Sequence, residues 1–144
     1  MPNLTRASDY GTNLASEFYV LSCLHRIGLT ANLTLGNKKG VDIIVARKAG
    51  DAVTVEVKGT AKKYDWIVNT LSSANPDRHF LVFVSFEGHI EDPTMPAPRV
   101  WVMPFPEVAR FTRNLAAGRM NTVSRADVLK NGSKYENAWE LIGE

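Results

Sequence analysis

A chain of 144 residues is long enough to enclose one hydrophobic core, and we expect a single domain spanning residues 1–144. Its content of 44% hydrophobic and 22% charged residues is that of a globular protein and argues against intrinsic disorder. The formal net charge of +2 is too small to indicate nucleic-acid binding by itself.

Cysteine content and the N-terminal sequence limit the compartment. Cys23 is the single cysteine, so no intramolecular disulfide and no cysteine-based zinc site can form, and we interpret it as a helix-packing residue. The segment Met1–Arg6 lacks an apolar signal core, and no run approaches the ~18 apolar residues of a membrane span. We therefore expect a soluble, cytoplasmic protein without membrane association.

The first predicted element is a helix from about Asn13 to Ile27, because apolar residues recur there with the helical period. Thr12 is suited to be its N-cap, and Gly28 is suited to follow its last turn. Glu17 borders the apolar face. That face consists of Leu14, Phe18, Leu21 and Leu24.

Three strand-like segments follow the helix. Asn32–Leu35 has the length of a short strand, and Val41–Arg47 is apolar on both faces, which predicts burial on both sides. Ala52–Lys58 alternates strictly, after a turn at Ala49–Asp51. One face of this strand carries Val53, Val55 and Val57, and the other carries Thr54, Glu56 and Lys58.

The second half of the chain mixes strands and helices. Ala61–Leu71 is compatible with a short helix or an irregular segment, and Phe80–Phe86 is the strongest strand pattern. The remaining predicted elements are a strand at Arg99–Met103 antiparallel to Phe80–Phe86, a helix at Pro104–Leu115, a short helix capped by Ser124 and ending near Asn131, and a docked tail at Tyr135–Ile142. This order predicts an α/β fold with a central mixed β-sheet flanked by helices.

The strand pair around Asp42 and Glu56 carries the candidate chemistry. Glu56 and Lys58 share one strand face, and a hairpin partner at Asp42 can bring a second carboxylate to that edge. Mg²⁺ prefers oxygen ligands, so we expect Asp42, Glu56 and the Val57 backbone carbonyl to hold it, with Mn²⁺ as a substitute. If a phosphodiester lies beside the metal, Lys58 can orient the water that attacks it and can stabilise the negative charge of the transition state.

Two simpler interpretations of these residues stay open. A Glu and a Lys two positions apart on a strand often form only a solvated ion pair, worth ~0–1 kcal/mol. Asp42 after a glycine can simply end a turn. A charge at the start of an apolar run is nevertheless costly unless it has a partner, and this favours a paired role for Asp42.

The pattern of Glu17 on a first helix, Asp42 after Val41, and Glu56 two residues before Lys58 resembles the PD-(D/E)XK nuclease superfamily, which includes type II restriction endonucleases and archaeal Holliday junction resolvases. The resemblance implies a restriction-endonuclease-like core. It matches Asp42, Glu56 and Lys58 to the three residues of the motif and Glu17 to a helical Glu that contributes to the metal site. Val41 departs from the Pro of the motif.

The resemblance covers about residues 10–86 and implies a metal-dependent endonuclease that hydrolyses phosphodiester bonds, in DNA. A homodimer is expected as well, since two sites cut two strands. The superfamily also contains catalytically silent members, so a non-catalytic protein that binds nucleic acid or a partner on the same fold is the alternative. A domain with no nucleic-acid role is the third interpretation.

Further residues near the motif are candidate nucleic-acid contacts. We expect phosphate contacts from basic and hydroxyl side chains near the motif, although a solvated turn explains the lysines equally well. Tyr64 and Trp66 can stack on bases or belong to the core. The three histidines have no metal-binding spacing, and no ATP-binding loop or serine-nucleophile motif occurs. The expected phosphate contacts are Lys38, Lys39, Thr60, Lys62 and Lys63.

Overall fold

The computed structural model describes residues 8–35, 40–68, 71–115 and 120–144. Three short 3₁₀ turns, at Pro76–Arg78, Ala109–Phe111 and Ser133–Tyr135, connect the longer elements. The helices and strands, in chain order, are α1 (Asp9–Arg26), β1 (Thr30–Leu33), β2 (Ile43–Ala46), β3 (Ala52–Thr60), β4 (Trp66–Ile67), β5 (His79–Ser85), β6 (Arg99–Pro104), α2 (Phe105–Val108), β7 (Thr112–Leu115), β8 (Met120–Val123), α3 (Arg125–Asn131) and α4 (Glu140–Gly143).

Five strands form a central mixed sheet in the order β1-β2-β3-β5-β6. The first three pair antiparallel, β3 and β5 pair parallel, and β5 and β6 pair antiparallel. A second, antiparallel sheet has the order β4-β8-β7. The predicted α/β class with a central mixed sheet flanked by helices is therefore confirmed, and so is the antiparallel pairing of the strands at Phe80–Phe86 and Arg99–Met103.

The central sheet separates two hydrophobic clusters. On one face the valines of β3 pack with Val20 and Leu24 of α1, and Ile142 of the C-terminal tail joins them. On the other face Phe83 and Trp101 pack with the second sheet and with α2 and α3. Every residue of β5 is buried, because both faces of this strand are covered. Among the described residues, no helix combines the length and hydropathy needed to cross a membrane.

Helix α1 begins earlier and faces the sheet differently than predicted. Ser8, not Thr12, is its N-cap and accepts a hydrogen bond from the Gly11 amide at 3.1 Å, whereas Gly28 follows the last turn as predicted, with φ of 85°. Phe18 is 52% exposed. The buried positions are Thr12, Ser16, Val20, Cys23 and Leu24. Small polar residues thus take the place expected for large apolar ones, because the helix lies very close to β3.

The predicted burial of both faces of the Val41–Arg47 strand was wrong. In β2, Ile43 and Val45 are buried beneath α1, whereas Ile44 is exposed on the opposite face. The second hydrophobic cluster takes no residue from β2, so the outer side of this strand faces solvent. An apolar run alone does not reveal how far the covering elements extend across a sheet.

The segment at Ala61–Leu71 is irregular over positions 61–65, as one of the two predicted alternatives, but is not irregular throughout, and the segment at Pro104–Leu115 differs from prediction. The first contains strand β4, in which the Trp66 indole donates a hydrogen bond to the Val84 carbonyl at 3.0 Å. The second is helical only at α2 and its 3₁₀ extension, and then becomes β7. Pairing with β8 decides both outcomes: β8 is distant in sequence from β4, whereas it follows β7 directly and forms a hairpin with it. The short helix capped by Ser124 is confirmed.

Candidate functional site

A cleft of about 700 Å³ lies between the first half of α1 and the β4 region, with the second half of β3 as its floor. We refer to it as the acidic cleft, because five carboxylates and one lysine line it. Four of these six residues are the predicted site residues Glu17, Asp42, Glu56 and Lys58, and Val57 lies beside them. The other two are Asp9 and Asp65. The fold therefore brings the predicted residues of the helix and of both strands to one place.

Strand divergence fixes the position of Asp42. The β2–β3 ladder reaches the pair Ile43 and Val55, and the Asp42 amide still donates to the Val55 carbonyl at 2.9 Å. One step further, the Val57 amide donates to the Asp42 carboxylate Oδ2 at 2.7 Å. The side chain of Asp42 thus replaces the backbone acceptor that a continuing strand would supply, which holds the carboxylate at the opening between the strands.

Glu56 and Lys58 project from the same face of β3, as the alternation predicted. The Lys58 ammonium lies 2.7 Å from Glu56 Oε2. On the other side, His79 Nε2 lies 3.8 Å from Glu56 Oε1, while His79 Nδ1 is 2.7 Å from the Thr54 hydroxyl. Glu56 is therefore held between a lysine and a histidine that is only 4% exposed. Sequence reasoning assigned no role to His79.

The carboxylates of the cleft repel one another. Burial raises the pKa of Asp42, and the charge of Glu56 raises it further, against the opposing hydrogen bond from Val57. Burial also raises the pKa of Glu17, and the charge of Asp42 adds to that rise. Burial would raise the pKa of Glu56 too, but its interactions with His79 and with the Lys58 ammonium hold that pKa below its usual range. An added cation near Asp42 and Glu17 would relieve this repulsion.

Close packing of α1 on β3 brings Glu17 to the cleft. A side-chain Cβ at Gly59 would lie 2.7 Å from the Ser16 Cβ and would overlap the Ser16 hydroxyl. Ser16 is fully buried, and its hydroxyl is fixed by donation to the Thr12 carbonyl at 2.7 Å. The pair Gly59 and Ser16 therefore sets the distance between helix and strand, and Glu17 follows Ser16 in the chain.

Replacing Gly59 by alanine is expected to destabilise the protein by about 1–3 kcal/mol, because the new methyl group overpacks the helix–strand contact. Thermal unfolding should show a Tm several degrees lower. Gly143→Ala is the matched control, since its Cβ would meet Leu29 at an ordinary 3.5 Å. Adding Ser16→Gly to Gly59→Ala removes the obstructing Cβ and should recover part of the loss. Equal Tm values for Gly59→Ala and wild type would contradict this account.

The other predicted contact residues have different positions. Thr60 lines the cleft, and its hydroxyl donates to the Lys62 carbonyl at 2.9 Å. Lys62 and Lys63 are exposed and do not line the cleft. Tyr64 is exposed at the cleft wall, whereas the Trp66 side chain is buried in the core, which leaves it no surface for stacking on a base. The predicted contacts at positions 38 and 39, Lys38 and Lys39, lie outside the described residues.

The arrangement is not a closed metal cage. Within the described part of the chain, no three Asp, Glu, His or Cys side chains form a group that could hold a metal ion as they stand. The Asp42 carboxylate is turned toward the Val57 amide, and that of Glu56 toward Lys58. Metal binding therefore requires these carboxylates to exchange part of their present hydrogen bonds.

Comparison with solved structures identifies a similar fold. The structure of a bacterial homing endonuclease, I-Ssp6803I, matches with a TM-score of 0.59 over 94% of this chain and 93% of that chain, at 15% sequence identity. No protein-family model matches the sequence, and no curated protein matches it significantly. At this identity the similarity establishes the fold.

Proposed function

We propose that the protein is a divalent-metal-dependent endonuclease of the PD-(D/E)XK superfamily, which hydrolyses phosphodiester bonds in DNA. The observation that carries the proposal is the convergence of Glu17, Asp42, Glu56 and Lys58 on one cleft. The shared fold with a protein described as a homing endonuclease adds support, since it extends over nearly the whole chain.

The donor set of the cleft suits Mg²⁺ or Mn²⁺. Asp42 and Glu56 supply hard carboxylate oxygens, and Glu17 supplies a third carboxylate. Burial, and to a smaller extent the neighbouring carboxylates, raises the pKa of Asp42 and of Glu17, and a bound cation would offset both effects. In an antiparallel ladder the amide and carbonyl of one residue point to the same side. Because the Val57 amide points at Asp42, we infer that its carbonyl points to that side too and is a further candidate ligand.

Each residue then has a defined role in phosphodiester hydrolysis. The ion, when bound, lowers the pKa of a coordinated water and polarises the phosphoryl oxygen. Lys58 is free to turn from Glu56 toward the scissile phosphate, where its ammonium orients the attacking water and stabilises the developing negative charge. His79 keeps its contact with Glu56 and so limits the rotation of that carboxylate when Lys58 leaves.

A non-catalytic binding protein is the second candidate, and one observation favours it. Lys58 already pairs with Glu56, and the Val57 amide already donates to one oxygen of Asp42, so both carboxylates have partners in the absence of a cation. A silent member of the superfamily would keep such self-contained pairs. Binding of Mg²⁺ distinguishes the two candidates, since a protein that only binds DNA has no need of the ion.

A cleavage assay tests the proposal. Wild-type protein is incubated with supercoiled plasmid, linear duplex, single-stranded and branched DNA, in Mg²⁺, in Mn²⁺ or in EDTA. We expect cleavage with either ion and none in EDTA, and an Asp42→Asn preparation purified in parallel reveals contaminating nucleases. If no substrate is cut and calorimetric titration detects no Mg²⁺ or Mn²⁺ binding, the nuclease proposal is wrong. Sedimentation of the same preparation tests the expected homodimer.

A further inference from the structure

A second cavity, of about 600 Å³, adjoins the acidic cleft. It is lined by the start of β3, the chain at positions 72–75 and the residues Arg78 and His79 that lead into β5. Gly40 lines both cavities. Thr54 in the second cavity precedes Glu56 on the same face of β3, and one such step along a strand is ~7 Å. The two cavities thus form one continuous path along the polar face of β3.

The two cavities have opposite electrostatic character. Five carboxylates and one lysine line the acidic cleft. Of the described residues that line the second cavity, none is acidic, and Arg78 supplies a permanent positive charge. Ser72, Ser73 and Asn75 add neutral hydrogen-bond donors. A ligand that follows the path therefore passes from a site whose carboxylates suit a cation to a site that suits an anion.

The guanidinium of Arg78 has hydrogen-bond donors that are available to a ligand. Its side chain is 56% exposed, and its guanidinium reaches Asp51 only at 3.7 Å. Asp51 is already held by Arg47, whose Nε donates to Oδ1 at 3.0 Å and whose second nitrogen pairs with Oδ2. A guanidinium that is weakly held beside a group of hydroxyls and an amide is well placed to bind a phosphate through two parallel hydrogen bonds.

We propose that the second cavity is a phosphate subsite for the nucleic-acid strand whose neighbouring linkage lies in the acidic cleft. This assignment rests on the proposed function for the identity of the ligand. The strand passes over Gly40, where the absence of a side chain leaves room between the cavities. Arg78 binds the phosphate, and Ser72, Ser73 and Asn75 complete the contacts. The subsite would fix the strand in register with Glu56 and Lys58.

Salt-dependent binding of a labelled DNA oligonucleotide tests the subsite, in EDTA so that no cleavage occurs. For Arg78→Ala we expect the Kd to rise about 10-fold and the slope of log K against log salt to fall by about 1, because one phosphate contact is lost. Arg78→Lys keeps the charge and should preserve the slope while weakening binding. Arg110→Ala is the matched control, since Arg110 is 63% exposed and pairs with Glu107 away from both cavities.

The outcomes separate this inference from the nuclease proposal. If Arg78→Ala binds DNA with the wild-type Kd and slope, the subsite is wrong even when the wild type cuts DNA. If Arg78→Ala lowers affinity and slope while the wild type neither cuts DNA nor binds Mg²⁺ or Mn²⁺, the subsite is supported and the nuclease proposal is wrong. Absence of DNA binding by the wild type, both in EDTA and with Ca²⁺ present to neutralise the cleft carboxylates, overturns the subsite. Inorganic phosphate should compete only weakly with the oligonucleotide, and tight phosphate binding that is unaffected by Arg78→Ala would also overturn it.

Discussion

Replacing Lys58 by methionine is expected to slow DNA cleavage by about 10²–10³-fold, which is the usual effect of removing one donor that stabilises a transition state. Methionine keeps the apolar stem of the lysine and removes only its charge. The ion pair with Glu56 at 2.7 Å disappears, so the Glu56 carboxylate gains a free oxygen. Affinity for Mg²⁺ should therefore be unchanged or higher, although cleavage is slower.

Single-turnover cleavage at saturating DNA measures the rate, and isothermal titration measures Mg²⁺ binding. Lys130→Met serves as the control, because Lys130 lies in the last turn of α3 and does not line the acidic cleft. A Lys58→Met rate equal to that of the wild type would remove the catalytic assignment of Lys58. Loss of Mg²⁺ binding in this variant would instead indicate that the lysine organises Glu56 for the metal.

Replacing Asp42 by asparagine is expected to abolish Mg²⁺ binding and cleavage while raising Tm in metal-free buffer at neutral pH. The pKa of Asp42 is raised by burial and by Glu56, so its charged form is unfavourable in the folded protein. An asparagine oxygen can still accept the hydrogen bond of the Val57 amide. The substitution therefore removes the unfavourable charge and keeps the local strand geometry.

The pH dependence follows from the direction of the shift. A carboxyl whose pKa is higher in the folded than in the unfolded chain contributes stability at low pH, and this contribution is lost as pH rises through the folded-state value. The advantage of Asp42→Asn over wild type should thus be largest at neutral pH and shrink in acid. Saturating Mg²⁺ should stabilise the wild type, by about 2.7 kcal/mol at 100 times Kd, and should leave the variant unaffected.

Differential scanning calorimetry at neutral and acidic pH, with and without Mg²⁺, measures the Tm differences between variant and wild type and their dependence on pH and metal. The cleavage assay measures the loss of activity. Asp77→Asn is the matched control, because Asp77 is exposed on the 3₁₀ turn before β5. A variant that is less stable than wild type without metal would mean that the charge of Asp42 supports the fold. A Tm increase with Mg²⁺ in the variant would move the proposed ion away from Asp42.

The strand part of the candidate site was predictable because its determinants are local. Alternation along β3 is enough to place Glu56 and Lys58 on one face with Val57 on the other. The short turn between β2 and β3 makes them antiparallel neighbours and brings Asp42 to the same end. The helix was also predictable as an element, since its period and its Gly28 ending lie within one segment.

The parts that could not be predicted depend on contacts between distant segments. His79 reaches Glu56 because β5 pairs parallel with β3 in the register that joins Thr54 to His79, and no local pattern specifies a parallel register. The predicted face of α1 was only partly right: Leu24 is buried as expected, but the hydrophobic period also favours Phe18, whereas the close approach at Gly59 selects Ser16. Strand β7 is the exception, because its partner β8 follows it directly in the chain; there the pairing within a hairpin overrides the local helical preference.

The carboxylate of Asp42 completes a strand contact and is also a proposed metal ligand, so natural selection for folding and for chemistry acts on one side chain. Alanine at this position would leave the Val57 amide without its acceptor, at a cost of about 1–3 kcal/mol if no water replaces it. A descendant of this protein that loses its activity is thus expected to drift toward asparagine at position 42 before alanine. Loss of activity by this route would leave the backbone conformation almost unchanged.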